Sequence, residues 1–206
     1  LFRSKFFQYI LLFKRRYDII NKVNLGKMQG WFGESTTMTK KVSSWLLTIL
    51  WMGMIFYSSA TPYEKQDVKP LLSETMDLTF LAPILKPFAF TYNKSIISVQ
   101  ALGVEGYIEF FLRKGAHIFV FMVLCILFYY SFKQTINRTI LFNAFLCTCL
   151  YAIFDEWHQS ITPNRTPYIG DVFLDSFGAL LAVLLILVVK RLRMRRRLKT
   201  NTQKQL

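Results

Sequence analysis

The stretch DEWHQSITPNRTPYIGD, residues 155–171, gathers Asp155, Glu156, His158, Gln159, Arg165 and Asp171 between two apolar runs. A carboxylate beside a histidine is the pairing used for proton transfer, because the acid orients an imidazole that exchanges its proton near neutral pH. The same side chains also hold polar ligands, and an arginine can grip a phosphate or carboxylate through two parallel hydrogen bonds. Upstream, RKGAH supplies Arg113 and His117, four residues apart and so on one face of a helix. Downstream, Asp175 repeats the same spacing after Asp171. A metal site can be drawn from Asp155, His158, Asp171 and Asp175. No H-E-x-x-H spacing or other complete metal motif accompanies them, so neither a metal nor another cofactor is expected.

The elements that must position these residues are written for lipid. Of 206 residues, 53% are hydrophobic and 17% aromatic, with a mean hydropathy of +0.31, too apolar for an ordinary soluble domain. The formal net charge of +14 would suit a nucleic-acid binder, but its densest part, KRLRMRRRLK at 190–199, directly follows a long apolar run. That placement fits a juxtamembrane anchor on anionic lipid and excludes nucleic acid from the expected partners. Cys125, Cys147 and Cys149 all lie within apolar runs and read as buried free thiols.

A bilayer core of about 30 Å takes about 20 apolar helical residues to cross. Four stretches qualify: 42–60, 116–132, 139–154 and 172–189. The last two reach full length only if their polar ends join the helix. The expected fold is therefore all-α, a polytopic membrane bundle of about four transmembrane helices. LTFLAPILKPFAF at 78–90 is apolar, but Pro83, Lys86 and Pro87 argue against a fifth span and for an interfacial or re-entrant segment in the first external loop. Lys40 and Lys41, Lys133 and Arg138, and the basic tail flank alternate ends of the spans, which puts both termini in the cytoplasm of a multi-pass membrane protein.

Three regions follow: 1–37, 38–189 for the transmembrane domain, and 190–206 for a basic cytoplasmic tail. MTKKVSSW at Met38 reads like an amino terminus, and the codons of Gly33 and Glu34 can spell a purine-rich ribosome-binding sequence, so 1–37 is read as an upstream leader. If it belongs to the protein, FFQYILLFKRRY at 6–17 suits a membrane surface.

With this topology His117 lies one turn inside the second span, Asp155, His158 and Gln159 close the third, and Asp171 and Asp175 open the fourth, all on the outer side. Ionisable groups at membrane depth cost several kcal/mol unless paired or hydrated, so a polar pocket between these spans is expected. Two readings stay open. The groups form a ligand site, or Arg113 and His117 pair with Asp155, Glu156 or Asp175 and lock the helices in register. Gly178 is expected to let two helices approach closely, and Trp157 and Tyr168 to sit in the interfacial aromatic belt.

RKGAH followed by DEWHQSITPNRTPYIGDVFLDSFGALLA, with FYSSATP closing the first span, resembles the VanZ-like family of bacterial membrane proteins across roughly residues 42–189. The resemblance implies a role in the bacterial cell envelope and a contribution to resistance against teicoplanin-type glycopeptides. It marks Arg113, His117, Asp155, Glu156, Gln159, Arg165, Asp171 and Asp175 as the functional set. Asp175 stands where many relatives carry Asn, and Phe121 where they often carry Tyr. Two functions are compatible with this. One is a non-enzymatic protein whose outward pocket binds membrane lipids, a lipid-linked cell-wall precursor or an anionic envelope polymer. The other is a membrane enzyme that hydrolyses or transfers a lipid-linked phosphate or sugar, with His117 or His158 as acid or base and Asp155 among the catalytic candidates. A transporter of four spans without an internal repeat is a weaker third.

Overall fold

The computed structural model describes residues 33–62, 66, 68–70, 74, 78–136, 138–163 and 168–203. The region read as a leader lies, through residue 32, outside the described residues. The chain divides into two compact units, Leu1–Lys40 and Lys41–Leu206. All that follows concerns the second.

Its architecture is a helical bundle with a small hairpin. The described elements are α1 (Gly33–Ala60), a 3-10 turn (Thr79–Leu81), α2 (Ala82–Leu85), β1 (Phe90–Tyr92), β2 (Ser95–Ile97), α3 (Val99–Thr135), α4 (Ile140–Ser160) and α5 (Ile169–Gln203). Four of them, α1, α3, α4 and α5, are long and apolar enough to cross a membrane. The segment 78–90 holds none: Pro83 sits in the first turn of the four-residue α2, which ends before Pro87. The strands β1 and β2 then pair antiparallel, Phe90 with Ile97 and Tyr92 with Ser95, around a turn in which Asn93 and Lys94 both have positive φ.

The helices are longer than the apolar runs alone suggest, for identifiable reasons. Ser98 caps α3, its hydroxyl accepting from the Ala101 amide at 3.2 Å, and Gly103 at φ 73° interrupts the helix before it resumes at Val104. The run 139–154 becomes a 21-residue helix only by taking in Asp155–Ser160. Thr162 and Pro163 end it: the Thr162 hydroxyl donates to the His158 carbonyl at 3.2 Å, and proline cannot continue the ladder. Helix α5 starts at Ile169 and runs unbroken through the basic residues to Gln203, since Arg, Lys, Leu and Met all favour helix and neither Pro nor, beyond Gly178, any Gly intervenes.

Contacts along the bundle set its register. Helices α3 and α5 run parallel, matching Lys114 with Asp171, His117 with Asp175 and Ile118 with Gly178. Helices α1 and α4 also run parallel to each other: the Tyr151 hydroxyl donates to the Met52 carbonyl at 2.7 Å and the Ser59 hydroxyl to Asp155 at 2.6 Å. Against α3, α1 is antiparallel, with Thr48 and Ser131 hydroxyls 2.9 Å apart and the Trp45 indole donating to Thr135 at 2.9 Å. The core combines Phe121, Leu124, Cys125 and Phe128 with Ala144, Ala152, Ala179 and Ala182. Small residues dominate the α4 and α5 contributions because lipid offers no hydrophobic drive between helices, and close backbone packing must supply the cohesion. Leu50, Phe142, Leu150, Leu184 and Val188 accordingly face outward.

The α3–α5 contact is tightest at Gly178, where an added Cβ would collide with the Ile118 carbonyl. Gly178→Ala should therefore destabilise the purified protein by about 1–3 kcal/mol, an overpacking cost. Gly53→Ala, at a position with open space around it, should be neutral or slightly stabilising. Thermal unfolding of both variants in detergent checks the contrast.

Candidate functional site

The parallel run of α3 and α5 brings their polar residues to the end of the bundle where α1 and α4 finish. On α3, Phe110, Lys114, His117 and Phe121 succeed one another at helical spacing, so a single stripe passes from aromatic to charged and back to buried apolar. On α5, Asp171 and Asp175 form the matching stripe. Lys114 Nζ lies 2.6 Å from Asp171 Oδ1, and His117 Nδ1 lies 3.2 Å from Asp175 Oδ1. Asp171 in the first turn of α5 also gains from the positive end of the helix dipole.

Helix α4 adds two carboxylates. Asp155, 2% exposed, accepts from the Ser59 hydroxyl at 2.6 Å and from Gln159 Nε2 at 2.8 Å. Glu156, 8% exposed, accepts the backbone N–H of Tyr168 just ahead of α5 through Oε1, while its Oε2 is buried without a hydrogen-bond partner among the described residues. Asp175 is 1% exposed. The hairpin closes the rim: the Tyr92 hydroxyl donates to Asp171, its ring packs edge-on against Tyr168 at 4.8 Å, and Lys114 Nζ sits 4.5 Å from the Tyr92 centroid. The result is a buried polar cluster to which α1, the hairpin, α3, α4 and α5 all contribute.

Of the residues expected here, His117, Asp155, Glu156, Gln159, Asp171 and Asp175 come together. Arg113 turns along its own helix to Glu109, 4.0 Å away, and its neighbour Lys114 takes the place facing α5. His158 leaves the carboxylates for an aromatic stack, its ring centroid 4.0 Å from that of Phe56 at an interplanar angle of 22°. Packing decides this: His158 is half-buried against Phe56 of α1, while Asp155 and Gln159 are buried between the helices. Arg165 lies outside the described residues. Trp157 is exposed, as a lipid-facing belt residue should be, whereas Tyr168 packs on Tyr92.

Among the described residues, four carboxylates thus meet one lysine and one histidine in this cluster. Among the described residues no three His, Cys, Asp or Glu side chains converge in a geometry that would hold a metal ion.

Ser59, Lys114, Tyr92 and Tyr168 complete the site without having been singled out as part of it. Two carried a signal: Ser59 belongs to the FYSSATP end of the first span, and Lys114 precedes His117 by three residues. Tyr92 carried none, for nothing in a hairpin 79 residues upstream of Asp171 announces their meeting.

A bundle of apolar spans with a buried carboxylate and histidine cluster at one end is an integral membrane protein. The family model described as VanZ/LLP1 matches residues 44–190, and the chain belongs to that family. No curated protein and no solved structure matches it.

Burial raises the Tyr92 hydroxyl's pKa above its usual value, and the hydrogen bond to Asp171 and that group's charge raise it further. A raised acid pKa in the folded protein means that the unfolded chain loses its proton first, so stability falls as pH climbs from about 10. Tyr92→Phe should lower stability by about 1 kcal/mol at neutral pH and should remove this part of the alkaline decline. Denaturant unfolding of both proteins across pH 8 to 11 measures the difference.

Proposed function

We propose that this membrane protein of the bacterial envelope binds a lipid-linked envelope component, with the component's hydroxyl- or amine-bearing end held in a chamber at this polar cluster. Through that binding it lowers the action of teicoplanin-type glycopeptides, the role that family resemblance implies. The observation that carries the reading is Asp155 and Asp175, almost wholly buried at the end of spanning helices. Carboxylates so placed are costly without donors; Ser59, Gln159 and His117 supply some of them, and a bound polar group would add donors for the acceptor capacity that remains. The unpartnered Glu156 Oε2 is one acceptor ready for such a group.

The chamber faces the cell exterior in this proposal. Lys41, Lys133, Arg138 and the residues from Lys190 onward fall at the opposite end, where Lys190 Nζ lies 5.0 Å from the Tyr129 ring centroid. Basic residues gathered at one end of a bundle mark the cytoplasmic side, so both termini are assigned there.

One observation favours a second reading. His117 Nδ1 is oriented by Asp175 at 3.2 Å, the arrangement of an acid/base histidine whose other ring nitrogen, Nε2, handles the proton. The alternative is therefore an enzyme that hydrolyses or transfers the lipid-linked group, with the remaining carboxylates orienting its hydroxyls.

Incubating the purified protein with bacterial lipid extract and reading lipids by mass spectrometry separates the two. Retained lipid without conversion supports binding, a new product supports the enzyme, and neither outcome overturns both. Asp175→Asn and His117→Gln should each weaken retention about tenfold or more, worth about 1.4 kcal/mol. Membrane abundance should stay near that of the unaltered chain, which immunoblotting of the membrane fraction checks alongside.

A further inference from the structure

Beside the chamber, the segment from Thr79 to Ile97 presents an apolar surface that the bundle does not cover. Phe80, Ile84, Phe88 and Ile96 are 68%, 63%, 61% and 63% exposed. A furrow of about 510 Å³ runs between Leu85, Phe88 and Phe90 on this segment and Tyr107, Ile108 and Phe111 on α3. Proteins in water rarely leave so much contiguous apolar surface open, and a patch of this kind marks a contact with something apolar.

The level of the patch along the bundle identifies the contact. Lys114 pairs with Asp171 across two parallel helices, so Leu112 and Ile169, two residues earlier on each, stand at nearly the same height. Both are exposed, as are Trp157 and Ile161 where α4 ends. These residues form the upper margin of the lipid-facing surface. Phe111 and Leu112 continue that margin directly into the furrow, and the exposed Lys86 and Lys94 lie among the exposed aromatic and aliphatic side chains. Apolar groups interleaved with lysines, whose stems lie in hydrocarbon while their amines reach headgroups, is the pattern of a surface inserted at the headgroup–acyl boundary.

We propose that the Thr79–Ile97 segment is embedded in one leaflet of the membrane, with acyl chains of that leaflet filling the furrow. The segment is also tied to the chamber. Phe90 and Tyr92 point to the same face of β1; Phe90 lines the furrow and Tyr92 bonds Asp171. Phe110 touches both rings, at 5.8 and 5.3 Å between centroids. The rim of the chamber is thereby anchored in lipid and opens beside it. This placement is independent of what the chamber binds.

Spin labels test it in the full chain, reconstituted in vesicles of phosphatidylcholine and phosphatidylglycerol, with Cys125, Cys147 and Cys149 replaced by Ala. Labels introduced by Ile84→Cys or Phe88→Cys should show an oxygen-to-nickel-chelate accessibility ratio severalfold above that of a label introduced by Arg197→Cys on the basic end of α5. Ratios equal to that of the Arg197 position would place the segment in water and overturn the proposal. Should the cysteine-free background fail to fold, Phe88→Trp in the native chain gives the same decision. Added quenching of its fluorescence by brominated lipid supports insertion, and unchanged quenching overturns it.

Discussion

A carboxylate at membrane depth must find donors, and four of them at one end of this bundle impose that requirement on every neighbouring element. Asp155 recruits Ser59 from the end of α1 and Gln159 from its own helix. Glu156 takes the Tyr168 amide, so the chain leaving α4 is bound back onto it before α5 begins. Asp171 draws Lys114 and the hairpin tyrosine, and Asp175 draws His117. Each of these contacts except the Gln159 one joins two different segments. Removing either partner leaves a buried polar group exposed to the full cost of desolvation, so satisfying the acids also fixes helix register. The lock between helices and the proposed ligand site, two readings that sequence alone leaves open, draw on the same side chains.

The rest of the bundle holds this end in place by contrasting means. Away from the carboxylates, helices meet through alanines, through Gly178 against the Ile118 backbone, and through single hydroxyl contacts such as Thr48 with Ser131. Tyr151 reaches the Met52 carbonyl and Trp51 the Val120 carbonyl at 3.1 Å, each pinning α1 to a different neighbour. These bonds use backbone acceptors or uncharged groups, which are tolerable in lipid. Charge is confined to the two ends, and the middle carries close packing.

Four spans, their order and the convergence of His117 with the DEWHQ carboxylates were legible because hydropathy and three- or four-residue spacing are local properties. Element ends were less so: 116–132 gave no hint that α3 reaches back to Val99, since Glu105 and Glu109 interrupt the apolar pattern while remaining helical. Within the site, the sequence reading chose Arg113, four residues before His117, over Lys114, three before it, and only the position of α5 decides that Lys114 meets Asp171. His158 shows the same limit from the other side, because Phe56, the ring it stacks on, lies on another helix. Tyr92 was illegible for a stronger reason. Its role depends on where a short hairpin docks, and no periodicity encodes that.

Helix α4 is the shortest of the four spans, with 21 residues. At 1.5 Å per residue it measures about 31 Å, hardly more than the hydrocarbon core it must cross. Helices α3 and α5 overhang by many residues, but α4 has no slack. Asp155 and Glu156 lie in the last turns of this shortest span, so the thickness of the bilayer sets how near to the headgroups they sit.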